Sequence, residues 1–221
     1  VGWYCVVGLK KNGLPKQKFV ETLDEVEQES SALLEHGYDV YFACSKYETD
    51  NSRSNDNVKN IQAFWMDIDC GDNKPYPDQL AGADALRAFC RELKLPKPWL
   101  VNSGRGIHAY WPLTMPVTRK EWTPVAKRLK ELCVQHNLEA DPSRTADAAS
   151  ILRMPDTLNH KVDPPLAVNI WTEGKATSFE EFRDKLGVIE DTPDYLPSFA
   201  DEMTKAMMGN RQHRFDNIVR S

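Results

Sequence analysis

The chain has 221 residues, 41% of them apolar, with 28 Lys and Arg against 33 Asp and Glu and a net charge of −5. That is ample side chain for the core of one moderately large domain, or of a domain with an appendage, and no run of about eighteen apolar residues offers a membrane helix. Five scattered cysteines, never spaced as Cys-x-x-Cys, predict reduced thiols and no structural zinc.

The absence of a basic-apolar-small leader sets the expected location as the cytoplasm, and the opening on Val1 without Met is what a trimmed chain shows. Residues 3–9 read as a strand. Thr22 and Glu25 then form a capping box ahead of a helix whose Leu23, Val26, Ser30, Leu33 and Leu34 share a face, with Gly37 as its stop. A strand follows over 40–45. Residues 47–60, dense in Asp, Asn and Ser with Arg53 among them, are expected as a polar loop, either disordered or folded over a template or nucleotide.

The next strand carries the first chemically pointed feature. Phe64, Trp65, Met66 and Ile68 suit a strand buried in a sheet, and Asp67 and Asp69, two apart, project from one face of it. Two carboxylates at such a place are costly unless compensated, and Mg²⁺ or Mn²⁺, which favour carboxylate, phosphate and water oxygens, are the natural compensators. Taken alone the pair proves little, because a strand end whose acids face solvent or cap the turn at Gly71 and Asp72 has the same sequence.

A helix over 78–93 leads to a glycine-flanked hairpin: strand 98–102, turn 103–106, returning strand 107–111. Gly104 and Gly106 lack a Cβ, so their N–H groups can approach an anion, with the Ser103 hydroxyl and the Arg105 guanidinium beside them. On the returning strand Ile107, Ala109 and Trp111 share one face, which leaves His108 and Tyr110 on the other. His108 is either a donor to a polyphosphate oxygen or an ordinary strand histidine satisfied by a carbonyl.

Thr118 and Glu121 cap a helix with Trp122, Val125, Ala126, Leu129, Leu132, Cys133 and His136 on one face, His136 reading as a helix-end residue. Arg119, Lys120, Lys127, Arg128 and Lys130 lie along it against Glu121 and Glu131, giving either a modest basic surface or a solvated helix face. Residues 151–154 are a short apolar run holding Arg153, closed by Pro155 before a loop with Thr157, Asn159, His160 and Lys161. Arg153 and Lys161 are suited to separate oxygens of one polyphosphate, or singly to a salt bridge and a solvated loop. A strand over 165–171 and a short helix capped by Ser178 follow. Then come an acidic linker from Pro193, a helix over 199–208 and a basic end at 209–221. Acids concentrate in two stretches, six in 21–35 and five in 190–202 with no Lys or Arg in either, so the remainder is net positive. A weak field of this kind predicts poor, salt-dependent affinity for nucleic acid.

Three segments together, AFWMDIDCG, SGRGIHAYW and ILRMPDTLNHK, resemble in order the motifs of the archaeo-eukaryotic primase superfamily, in particular the primase-polymerases of phages and mobile elements. Asp67-Ile68-Asp69 matches the first motif and Ser103 to His108 the second. Asp141 in Leu-Glu-Ala-Asp matches the third acid, with Asp147 as its rival. The last segment resembles an Arg-x-Pro-Gly-Thr-x-Asn-x-Lys signature, with Asp156 where glycine is usual. An Asp tolerates the left-handed turn, though close backbone approach to phosphate there is put in doubt.

The resemblance covers about residues 60–161 and implies an α/β (α+β) fold, an RRM-like catalytic sheet with an N-terminal α/β unit. Residues 1–188 would form the catalytic domain and 189–221 an acidic linker and tail leading to a further module, often a helicase. It implies a template-dependent nucleotidyltransferase using single-stranded DNA template, primer and NTP or dNTP. Two Mg²⁺ or Mn²⁺ ions would be held by Asp67, Asp69 and Asp141, and Ser103, Gly104, Arg105, Gly106, His108, Arg153, Asn159 and Lys161 would serve the nucleotide. Two other classes fit parts of the pattern: a metal-dependent nuclease or nicking initiator, which the lack of His-x-His disfavours in its paired-histidine form, and a non-catalytic module stacking bases on Trp65, Tyr110 and Trp111.

Overall fold

The computed structural model describes residues 2–188. The acidic linker, the helix expected over 199–208 and the basic end lie outside the described residues. In chain order the elements are β1 (Tyr4–Leu9), β2 (Lys16–Val20), α1 (Leu23–Glu35), β3 (Asp39–Ala43), β4 (Ser45–Tyr47), β5 (Val58–Asp69), α2 (Gln79–Glu92), β6 (Trp99–Asn102), β7 (Gly106–Val117), α3 (Arg119–Gln135), α4 (Pro142–Thr145), β8 (Ile151–Arg153), β9 (Thr157–Asn159), β10 (Leu166–Thr172) and α5 (Phe179–Lys185). The strands form two sheets, β2-β1-β3-β8 and β4-β5-β7-β6-β10-β9. The expected mixed α/β architecture is the one found.

β5 and β7, twelve residues each, are the spine of the larger sheet. Phe64, Met66 and Ile68 of β5 and Ile107, Ala109 and Trp111 of β7 join one core with Leu86 and Phe89 of α2, Trp122, Val125, Ala126 and Leu129 of α3, and Phe182 of α5. Trp122 stacks on both Phe64 and Trp65, at 5.7 and 4.8 Å between ring centroids. Each of these large side chains contributes about 1.5–3 kcal/mol on burial. The face expected of α3 is the buried one, and His136 is its C-cap, 3.0 Å from Glu92. Capping boxes at Thr22 and Thr118 are both formed, and Ser178 caps α5.

Three expectations are corrected. Leu23, placed on the buried face of α1, is 65% exposed, because the helix meets the small sheet only from Val26 onward, through residues such as Leu33. The strand expected over 40–45 is two strands in different sheets, β3 and β4, with only Cys44 between. The loop expected over 47–60 is confined to 48–57, between β4 and β5, and is ordered: Asn57 bonds Thr49 and Ser52, Arg53 reaches Gln17 and the Ala149 carbonyl, and Asn55 reaches Asp147. Its polar side chains satisfy one another and the 147–149 turn, which composition alone does not reveal. Among the described residues no helix is long and apolar enough to cross a membrane.

Candidate active site

Directly opposed residues of an antiparallel pair project to the same side. Asp67 opposes His108 and Trp65 opposes Tyr110, so acid and imidazole sit side by side on the face turned away from Ile107, Ala109 and Trp111. That face forms one wall of a cleft of about 710 Å³; the other wall comes from β3 and β8 of the small sheet.

Asp67 is the most perturbed acid of the cleft. Burial, then the charges of Asp69 and Asp141, push its carboxyl up to about 7, with Arg144 and Lys161 opposing. His108 is 3% exposed, and burial, reinforced by the positive Arg153 and Arg144, lowers its pKa to about 3, so the ring is neutral at physiological pH. Its Nε2 lies 3.7 Å from Asp67 Oδ1 and its Nδ1 3.3 Å from the Tyr110 hydroxyl. When Asp67 is ionised, as it is above about pH 7 or on a cation, its carboxylate only accepts, and the tautomer that suits both neighbours then has the proton on Nε2 and Tyr110 donating to Nδ1. Asp69 is more exposed and pairs with Lys74 at 2.6 Å.

The opposite wall is cationic. Arg153, 4% exposed, lies over the Tyr41 ring at 4.8 Å and donates from Nη2 to Asp39 Oδ2 at 3.0 Å. Asp39 Oδ1 accepts the His160 N–H at 2.7 Å and faces His160 Nδ1 at 3.0 Å. Burial alone would raise the Asp39 carboxyl, but the bonds from Arg153 and His160 outweigh it and hold the group below the usual carboxylate range. Lys161, Arg105 and Ser103 line the same cleft.

Of the sequence-derived residues, Asp67, Asp69, Ser103, Arg105, His108, Arg153, Asn159 and Lys161 converge on the cleft. Gly104 and Gly106 are not among the residues that line the cleft. The Gly104 N–H is taken by Asn102 Oδ1 at 2.8 Å, and its φ of +88° with Asn159 packed against its Cα explains the glycine. At Gly106 a Cβ would press on the Ile68 carbonyl, so that glycine serves the approach of β7 to β5. Asn159 donates to the Ser103 carbonyl at 2.8 Å, fixing the hairpin turn to the end of β9. Asp156 takes the left-handed conformation at φ 61°, and its N–H is spent on the Val168 carbonyl.

The two rivals for the third acid part company. The Asp141 N–H donates to the Asp67 carbonyl at 2.7 Å, and its charge is felt by Asp67. Asp147 instead organises a turn, accepting from Asn55, Ala149 and Ser150. Sequence reading missed Arg144, Asp39, Tyr41 and His160, all lining the cleft. His160 stood inside the third segment, ILRMPDTLNHK, and Arg144 between the rival acids. Asp39 and Tyr41 sit two apart on a strand, the same spacing that marked Asp67 and Asp69.

A hard divalent cation takes one or two carboxylates and completes its shell with water and phosphate oxygens. Asp67 and Asp69 offer that grouping, and a carboxyl raised to about 7 by burial and then by like charges is one that a cation would relieve. Asp141 Oδ1 is turned to Ser143, capping α4. Among the described residues no three His, Cys, Asp or Glu side chains group to hold a metal ion. The residues present thus fit a cation on two carboxylates, open toward the cleft.

No family model and no curated protein matches the chain in sequence. Its likeness is to solved structures. The primase-polymerase domain of cyanophage S-2L superposes with a TM-score of 0.62 at 13% identity, over 84% of this chain and 89% of that one. The fold is of the archaeo-eukaryotic primase type. The primase RepB′ superposes with a TM-score of 0.57, also at 13% identity, over 98% of this chain; the chain spans 64% of that structure. In this primase-type fold the acid pair and His108 face the cationic wall across the cleft.

Proposed function

We propose that the chain is a template-dependent nucleotidyltransferase, a primase-polymerase that makes or extends primers from nucleoside triphosphates in phage or mobile-element replication. The observation that carries this is the sharing of one cleft by an acid pair with a raised carboxyl and a wall of guanidinium and ammonium groups. It divides the cleft between what holds a cation and what holds a polyphosphate. Neighbours of the same fold are a primase-polymerase and a primase, which supports the reading.

In this mechanism the primer 3′-oxygen attacks the α-phosphorus, the bond to the bridging oxygen breaks, pyrophosphate leaves, and the hydroxyl proton passes to water. Mg²⁺ or Mn²⁺ on Asp67 and Asp69, with Asp141 as the acid for a second ion, would supply Lewis-acid stabilisation of the attacking and leaving oxygens. Arg153, Lys161 and Arg105 neutralise the polyphosphate, Arg as a planar fork and Lys as a point charge. His108, neutral and carrying its proton on Nε2, donates a hydrogen bond without adding charge beside Asp67. Catalysis is positioning plus electrostatics.

The test is incubation with Mn²⁺ or Mg²⁺, labelled NTP or dNTP, and single-stranded template with and without primer. Extension is expected, and Asp67→Ala and Asp69→Ala are each expected to abolish it while far-UV circular dichroism stays unchanged. Near-normal extension by either variant ends the proposal. Cleavage of the DNA would mean a nuclease, and binding without product a non-catalytic module.

A further inference from the structure

Asp39 stands outside every motif, yet it is 8% exposed and its two oxygens accept from two elements. Oδ2 takes Arg153 Nη2 from β8, in the small sheet, and Oδ1 takes the His160 N–H, just past β9 in the large sheet. One carboxylate therefore ties a strand of the small sheet to the segment that follows β9 of the large one. Asp39 and Tyr41, two apart on β3, share a face, and β8 pairs with β3 so that Arg153 opposes Tyr41. The guanidinium is consequently fixed twice, by the ring beneath it and by the carboxylate at one edge. Its Nη1 remains buried with no hydrogen-bond partner among the described residues. Buried donors are ordinarily satisfied, and this one belongs to a charged side chain that lines the cleft, which distinguishes it from the unpartnered hydroxyls of Ser30, Tyr47 and Thr172.

We propose that Asp39 is the positioning residue of the polyphosphate site: it sets the Arg153 guanidinium so that the unpartnered Nη1 meets the triphosphate tail. The identity of the ligand rests on the nucleotidyltransferase reading; the positioning does not. Asp39 touches no substrate and acts through Arg153.

The experiment measures binding of a labelled nucleoside triphosphate and of inorganic tripolyphosphate, with extension kinetics, for the unaltered protein, Asp39→Asn, Arg153→Ala and the double variant. Asp39→Asn is expected to weaken both ligands roughly tenfold or more and to raise the nucleotide KM by a similar factor, with kcat within about twofold. The double variant should bind no worse than Arg153→Ala alone, since both changes act through one guanidinium. If Asp39→Asn does not fold, Asp39→Glu, which keeps the charge and displaces it, takes its place with the same expectations. Unchanged affinity and KM, or additive losses, overturn the proposal. If the unaltered protein binds neither ligand, the nucleotidyltransferase reading falls with it; if it binds both and the Asp39 variants bind as well, only the positioning role falls.

Discussion

Asp67 carries an electrostatic load that has a sign and a pH window. Its folded pKa of about 7 lies above the ordinary 3.8, so between these values the folded protein holds a proton that the unfolded chain has lost. Stability therefore falls as pH rises from about 4 to about 7, by at most on the order of 4 kcal/mol. In chelator, urea titrations at pH 4.5 and 7.5 should show this decline in the unaltered protein and a flatter one in Asp67→Asn; parallel curves would refute it. Mn²⁺ at pH 8 should raise the melting temperature of the unaltered protein and leave Asp67→Asn unmoved. At His108 the expectation is kinetic. His108→Ala should raise the nucleotide KM or lower kcat roughly tenfold or more, the scale of about 1.4 kcal/mol for a hydrogen bond to a charged group. Unchanged nucleotide kinetics would remove His108 from the site.

Among the elements, the hairpin of β6 and β7 shows what sequence can and cannot disclose. Alternation put His108 on the open face correctly, because periodicity reports which way a side chain points. The same pattern misread the glycines: it marks where a Cβ is unwelcome, not what stands in its way, and here that is Asn159 and the Ile68 carbonyl. Gly104→Ala meets both a left-handed backbone and the Asn159 side chain, and should cost about 1–3 kcal/mol in urea unfolding along with nucleotide affinity. A cost near zero would show that the turn has another conformation open to it. The helices were legible because capping boxes and 3.6-residue faces are local signals. β2 was not, since its Lys16, Gln17 and Lys18 face solvent on an edge, and β8 and β9 are three residues each, too short for any period.

Over the molecule as a whole, partnership across long sequence distances is what the chain kept hidden. Arg153 with Asp39 and Arg53 with the Ala149 carbonyl join residues about a hundred positions apart. No local pattern announces such pairs, whereas the acid pair and the ILRMPDTLNHK segment announced themselves by spacing. The charge balance carries its own expectation. On α3, Arg119 is paired with Asp56 and Arg128 with Glu131, which thins the basic surface. With about three phosphates neutralised, single-stranded DNA affinity should fall roughly tenfold or more between 50 and 200 mM salt, measured by fluorescence anisotropy, and salt-insensitive binding would contradict it.

Cys44 is the sole residue between β3 and β4, and its N–H is tied to the Ser150 carbonyl. The polypeptide therefore turns a covalent corner from one sheet into the next without slack. On the nucleotidyltransferase reading, a corner this short favours a fixed spacing of the two walls, and choice among incoming building blocks would fall to the exposed side chains of Arg105 and Lys161 rather than to a jaw-like closure of the groove.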